Sequence, residues 1–304
     1  MASFGDYNRV NTNVTAMDAQ LSLNKINRDL GESRLRLSTG FKINNAEDDA
    51  AGFAIATKLK SRVAGLEQAL QNVSDAKSVL GVVEGAYGSV MDNLIEMKSL
   101  ATQAANETLG QTEKDYIGAQ IQALGVDIND IAASAKFNGL NLLSAQTLTF
   151  QVGEGTADTL AVTLTEVDVD ELFGAGDTDL GTALGDDNKI DMDQSDNSNE
   201  GGFDFAADVD AIEFRSMITH IDDAISTMNT NLNSIGINQR SLSGKEVNLT
   251  EAITANSAAK SRIMDTDFAK EQSNSIRLQI LQQTATAALS QANMGPQAVL
   301  GFLG

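Results

Sequence analysis

The chain has no cysteine and no tryptophan, and its 304 residues include a single proline and a single histidine. Without cysteine there is no disulfide, no thiol nucleophile and no cysteine-ligated metal, and the fold is indifferent to the redox state of its surroundings. The lone histidine, His220 in "ITHIDDAI", has Asp223 on an adjacent helical face and no nucleophile motif beside it. Its expected role is a satisfied surface side chain, not an acid–base catalyst. Aromatics are only 5% of the residues, which with the near absence of proline favours long helices over a compact aromatic-rich core. Basic residues are scarce too: 21 against 42 acidic ones, a net charge of −21 that lacks the basic footprint nucleic acid or an anionic membrane requires. No run of eighteen apolar residues occurs, and "MASFGDYNRVNTNVTAMDAQ" has no apolar core or cleavage site, so neither a membrane span nor a standard signal peptide is expected. Phosphate-binding loops, dinucleotide fingerprints and zinc spacings are missing. No enzyme activity, metal or cofactor is expected.

What the sequence does hold is helical periodicity. Through residues 59–101 one heptad row reads Leu59, Leu66, Val73, Leu80, Tyr87, Leu94, Ala101, and a second is read as Val63, Leu70, Lys77, Glu84, Met91, Lys98. This spacing is the seam of a coiled coil or helical bundle, with the three charges of the second row suited to a bundle rim. Ile117, Ile121, Leu124, Ile128 and Ile131 predict a second helix, ending near "KFNGLNLL", where Asn138 and Gly139 supply a cap or turn. The C-terminal third answers with Ile221, Met228, Ile235, Leu242, Leu249, Asn256 and Ile263. Further stripes lie at the two ends: Val10, Val14, Met17 and Leu21, joined by Ile26 and Leu30, and then Ile276, Ile280, Leu281, Ala287 and Ala288. Neither stands alone in water, because helix formation needs tertiary burial to offset its entropy. Each is expected to pack on the other or on copies of itself. The chain closes on "MGPQAVLGFLG", an apolar tail with Val299, Leu300, Phe302 and Leu303 where a polar frayed end is usual.

Between the helical arms "TLTFQVGEGTADTLAVTLTEV" reads as a hairpin. An Asp-, Gly-, Asn- and Ser-rich stretch follows; residues 151–213 hold 18 acidic residues and one basic, Lys189. Such a segment must face solvent. Within it Asp191, Asp193 and Ser195 alternate like the start of a calcium loop, but Asp196 and Gly202 stand where that loop requires glycine and glutamate. Four glycosylation sequons, at Asn13, Asn72, Asn106 and Asn248, are expected by chance in so Asn- and Thr-rich a chain.

The connection "RLSTGFKINNAEDDAAGFAIATKLK" is more informative. Gly40 follows a helix, and Asn44 or Asn45 is read as the cap of the next, with Glu47, Asp48 and Asp49 in its first turn. Ala46, Ala50, Ala51 and Gly52 leave one side nearly bare for close approach of another backbone.

Here the sequence resembles bacterial flagellin. The motif spanning Asn44, Asp48, Asp49, Ala50, Ala51 and Gly52 is similar to the family's N-terminal signature, and "SRIMDTDFAKEQSNSIRLQILQQTATAALSQANMGPQAVLGFLG" to its C-terminal one. "FNGLNLL" and "LTFQVG" also match; the acidic middle does not. The resemblance implies a mainly α fold in three parts. Residues 1–43 with 265–304 are the terminal helices of a filament's inner core, 44–167 with 214–264 a helical-bundle rod carrying the hairpin, and 168–213 a variable acidic surface insertion. It implies inner-core packing between subunits through Val10, Val14, Met17, Leu21, Ile276, Ile280, Leu300, Phe302 and Leu303. The implied partners are other copies in a helical homopolymer, an export chaperone and the export apparatus, and the filament cap and hook-junction proteins, with an extracellular location in the flagellum. Some members engage an innate immune receptor through a segment that falls here at "NLIEMKSLATQAAN". Glu96 replaces the arginine, and Ser99 the glutamate, of receptor-binding members; Lys98 keeps a charge without arginine's fork geometry. Weak or absent receptor activation is expected. A hook–filament junction protein and a secreted coiled-coil adhesin are the alternatives, and the ungapped C-terminal motif favours the filament subunit.

Overall fold

The computed structural model describes residues 12–173, 190–191, 204–205, 209 and 211–301. The fold is mainly α. The elements are α1 (Val14–Thr39), α2 (Ala50–Ala104), α3 (Gln111–Ser134), β1 (Lys136–Phe137), β2 (Leu140–Asn141), β3 (Gln146–Gln151), β4 (Thr159–Leu164), α4 (Val169–Phe173), β5 (Ile190–Asp191), β6 (Asp204–Phe205), α5 (Ala211–Met264) and α6 (Phe268–Gly301). They form two compact units, Met1–Ala64 with Thr254–Gly304, and Gly65–Ile253. Most of the acidic 168–213 stretch, including the calcium-loop-like residues after Asp191, lies outside the described residues.

The Gly65–Ile253 unit is built on α2, α3 and α5. The first heptad row of α2 is its core: Leu66, Val73, Leu80, Tyr87, Leu94 and Ala101 are all buried. The second row differs from the sequence expectation. It is Ala69, Ala76, Val83, Val90, Met97 and Ala104, every one buried, not the row of Leu70, Lys77, Glu84, Met91 and Lys98. The latter lie one residue, about 100° of helix rotation, further round, at the rim. There the charges are used across to α5. Lys77 Nζ meets Glu246 Oε2 at 2.9 Å, Gln239 Nε2 donates to Glu84 Oε2 at 2.7 Å, and Lys98 pairs with Asp222. Apolar rows at three- and four-residue offsets bury a wide face, as a bundle with more than one neighbour requires.

α5 contributes Phe214, Ile221, Met228, Ile235, Leu242 and Leu249 to the same core, and α3 contributes Ile117, Ile121 and Ile128. Leu124 and Ile131 pack at its edge. The sequence hairpin forms as β3 and β4, antiparallel from Gln146↔Leu164 to Gln151↔Thr159, with Val162 and Leu164 pointing inward. Asn138 (φ 50°) and Gly139 (φ 82°) make the turn between β1 and β2; left-handed backbone at both suits Asn-Gly. Burial pushes the Tyr87 phenol above its usual pKa, with hydrogen bonding to Thr165 opposing.

The other unit holds α1 and α6 as an antiparallel pair. Gly40, at φ 77°, ends α1 in the left-handed conformation that glycine, having no Cβ, adopts without penalty, and its N–H donates to the Arg36 carbonyl.

Candidate assembly surface

The seam between α1 and α6 mixes small and polar side chains with five larger apolar ones, Leu23, Ile26, Leu30, Leu278 and Leu289. On α1 the inward stripe is Ala16, Ala19, Leu23, Ile26, Leu30 and Ser33; on α6 it is Ser275, Leu278, Gln282, Ala285, Leu289 and Ala292. Only Leu30, Ser33, Ser275 and Leu278 of these are fully buried. Asn27 Oδ1 accepts from Gln282 Nε2 at 2.6 Å, and the buried Ser33 hydroxyl has no partner among the described residues. Small side chains let the two backbones approach closely, but such a seam buries little apolar area.

A second set of large apolar side chains points the other way. Val14, Met17 and Leu21 on α1 and Ile276 and Ile280 on α6, all singled out by their spacing, are exposed, Leu21 by 70%. They do not face the partner helix of their own chain. Leu281 and Met294 extend the exposed set on α6. Leu300 lies on the last turn of α6, whereas Val10, Phe302 and Leu303 are outside the described residues.

One contact missed by sequence reasoning ties the pair. A proline at position 296 has no N–H for the carbonyl four residues earlier, Ala292. Asn13 Nδ2 donates to that carbonyl at 2.8 Å, while its Oδ1 caps α1 by accepting from the Ala16 N–H at 3.0 Å. The signal was in the sequence as a lone proline near one end and an Asn before a helical stripe at the other. Only the fold brings them together.

The two links between helices run side by side. Phe41 and Asp265 form an antiparallel bridge, flanked by Lys42 N–H to Met264 O at 2.7 Å and Thr266 N–H to Gly40 O at 2.8 Å. The cap of α2 is Asp49, not Asn44 or Asn45: its Oδ1 accepts from the Gly52 N–H at 3.0 Å and the helix starts at Ala50. Asp48 instead gathers the Asn44 and Asn45 amides, at 2.8 and 3.0 Å. These hydrogen bonds hold its carboxyl below the usual carboxylate range. Asp49 takes the cap because Asp48 is already engaged in closing the loop. At Gly52 an added Cβ would lie 2.5 Å from Asp49 Oδ2 and 2.8 Å from Ile43 Cδ1, so both side-chain ends would have to shift. The close approach is that of the buried Ile43 side chain, while Ala50 and Ala51 are exposed.

On α2, Glu96 and Ser99 are exposed and Lys98 is half-buried in its pair with Asp222. His220 is half-buried on α5. Among the described residues no three His, Asp or Glu side chains cluster as metal ligands would. Asn13 and Asn72 of the sequons donate their amide nitrogens within the fold, to Ala292 O and Gln151 O.

Residues 10–147 match the family described as the bacterial flagellin N-terminal helical region, and residues 218–303 the bacterial flagellin C-terminal helical region. A flagellin of Halalkalibacterium halodurans is 33% identical over 298 residues, covering 97% of this chain and 99% of the relative. The chain belongs to the bacterial flagellin family. Flagellin of Bacillus subtilis is 32% identical over 311 residues, and the flagellar filament 33 kDa core protein of Treponema phagedenis 30% over 300 residues, each across 97% of this chain and 99% of its own. The two flagellin regions take in the whole exposed apolar set from Val14 to Ile280, the 44–52 motif and the 96–99 segment, and leave 148–217 between them. As a flagellin, the chain is a structural subunit of the filament that drives motility. That filament is external to the cell.

Proposed function

We propose that this flagellin polymerises by burying the outward faces of α1 and α6 against neighbouring copies. The observation that carries the reading is the second apolar face of that pair, with Val14, Met17, Leu21, Ile276 and Ile280 exposed to water in addition to the inward stripe. Each such side chain contributes about 1.5–3 kcal/mol when fully removed from water. That gain offsets the entropy of ordering two terminal helices whose own seam is too lean to hold them. Contacts between different patches on successive copies generate an open helical polymer, not a closed ring.

In this reading residues 1–43 with 265–304 form the inner core, 44–167 with 214–264 the surrounding rod, and 168–213 the solvent-facing insertion. The subunit is exported from the cell with a chaperone covering its C-terminal helix, elongates beneath a cap protein, and starts from hook-junction proteins. It has no catalytic role. Glu96 in place of a basic residue, and Lys98 held by Asp222, leave the immune-receptor segment without its cationic anchor, so purified monomer is expected to be a weak activator in a receptor reporter assay.

Seeded polymerisation tests the assignment. Purified monomer mixed with filament fragments is expected to elongate into long helical fibres in electron micrographs. Growth that stops at short caps would favour a junction protein instead.

A further inference from the structure

Basic residues are unevenly placed. The unit of Met1–Ala64 and Thr254–Gly304 carries thirteen basic and ten acidic residues, a net +3, whereas Gly65–Ile253 carries eight and thirty-two, a net −24. Within the positive unit an open groove of about 720 Å³ runs beside the first turns of α6, lined in part by Arg36, Lys42, Lys270 and Arg277. Its carboxylates are already committed. Asp265 accepts from the Ser261 hydroxyl at 2.6 Å, Asp267 caps α6 by accepting from the Ala269 and Lys270 amides at 3.1 Å, and Glu271 accepts from the Asn274 amide at 3.4 Å. Of the cations, Lys42 Nζ donates to the Arg262 carbonyl at 3.2 Å and Arg277 Nη2 to Asn274 Oδ1 at 2.6 Å, both neutral acceptors. Lys270 stands in the first turn of α6, where the helix dipole favours acids, and its ammonium has no acidic partner among the described residues. Arg36 pairs with Glu32 through Nη2, yet its buried Nε has no partner among them.

We propose that this groove receives carboxylates from the acidic helical unit of a neighbouring copy of the chain, and so fixes the axial register of the polymer. The inference rests on the filament reading above. Charge complementarity supports it: a groove with four cations and three carboxylates, in a unit of +3, meets copies whose Gly65–Ile253 unit carries a net −7 even outside residues 151–213. Continuity supports it too, because the exposed Leu35, Phe268 and Ile276 lie beside Arg36, Lys270 and Arg277 in the chain and extend the apolar faces to the groove. Apolar burial is non-directional, and on helices repeating every seven residues it tolerates slippage. Complementary charge supplies the register.

The test is the full-length double variant Lys270→Glu/Arg277→Glu, with the critical concentration for seeded growth measured by sedimentation at about 0.1 M and about 1 M salt, where the Debye length falls from ~10 to ~3 Å. The expected result is a rise of about tenfold over the parent at low salt that closes to within about threefold at high salt. The charge-conserving pair Lys270→Arg/Arg277→Lys is expected to grow like the parent, and deleting residues 170–210 to leave the charge-reversal effect in place. Parent-like growth of the reversed variant at low salt, or a gap indifferent to salt, would overturn the proposal. So would loss of the effect on deletion, which puts the carboxylates on the insertion. A parent chain that fails to polymerise overturns the filament reading itself, and this inference with it.

Discussion

In the bundle of α2, α3 and α5 the large side chains point inward and the charges sit at the rim, Lys77, Glu84 and Lys98 each reaching a partner on α5. In the pair of α1 and α6 apolar side chains lie on both faces: alanine, serine and a few leucines face inward while Met17, Leu21 and Ile280 face water. Both regions use seven-residue apolar spacing, so periodicity alone does not distinguish them. The difference lies in which row holds the bulk. A seam of large residues makes a unit that is complete by itself. A seam that leaves Met17, Leu21 and Ile280 in water makes a unit with apolar area still to bury.

The largest expected effect tests that contrast directly. Removing residues 296–304 is expected to abolish filaments in electron micrographs while leaving the bundle's thermal transition where it was; normal polymerisation of the truncated chain would mean the tail packs within its own subunit. Next come matched cavity variants. Leu94→Ala, in the closed core, is expected to cost about 2–5 kcal/mol in urea unfolding of the monomer. Leu21→Ala, on the open face, is expected to change it by less than ~0.5 kcal/mol and to slow polymer growth instead. Equal losses in the monomer from both variants would remove the distinction between the two regions.

A smaller effect concerns the tether between the ends. Asn13→Asp keeps the acceptor that caps α1 but loses the donor to Ala292 O, and is expected to weaken the pair by about 1 kcal/mol, read as faster amide exchange in α1 and α6 with α3 unchanged. The smallest is pH-dependent. Because the folded Asp48 carboxyl titrates below its ordinary value, its contribution is complete above the usual carboxylate pKa of ~3.9 and is lost as pH falls through the folded value. Asp48→Asn should therefore show a stability deficit at neutral pH that narrows in acid. A gap that stays constant to low pH would assign the cost to something other than ionisation.

Much of this was legible from the sequence. The row from Leu66 to Ala101, the α5 row from Ile221 to Leu249 and the hairpin could be read because each repeats without interruption. The second row of α2 was misread because apolar residues stood at both the three- and the four-residue offset, and only packing against α3 and α5 decides which offset is inside. The terminal stripes were visible, but not which row faces the partner helix: Leu30 and Ser33 are buried where Val14, Met17 and Leu21 are not. The α2 cap was placed on the asparagines because Asn, Asp and Ser cap comparably well. The choice of Asp49 depends on the loop that Asp48 closes, a contact between neighbours whose propensities are alike.

Proline 296 takes on a different meaning beside Asn13. A missing N–H near one end of the chain leaves a carbonyl at Ala292 that a side chain 279 residues away occupies. A chain cut short before that carbonyl offers Asn13 nothing to hold, so the fold carries its own check on completeness: the first helix is fastened only in molecules that also possess the last.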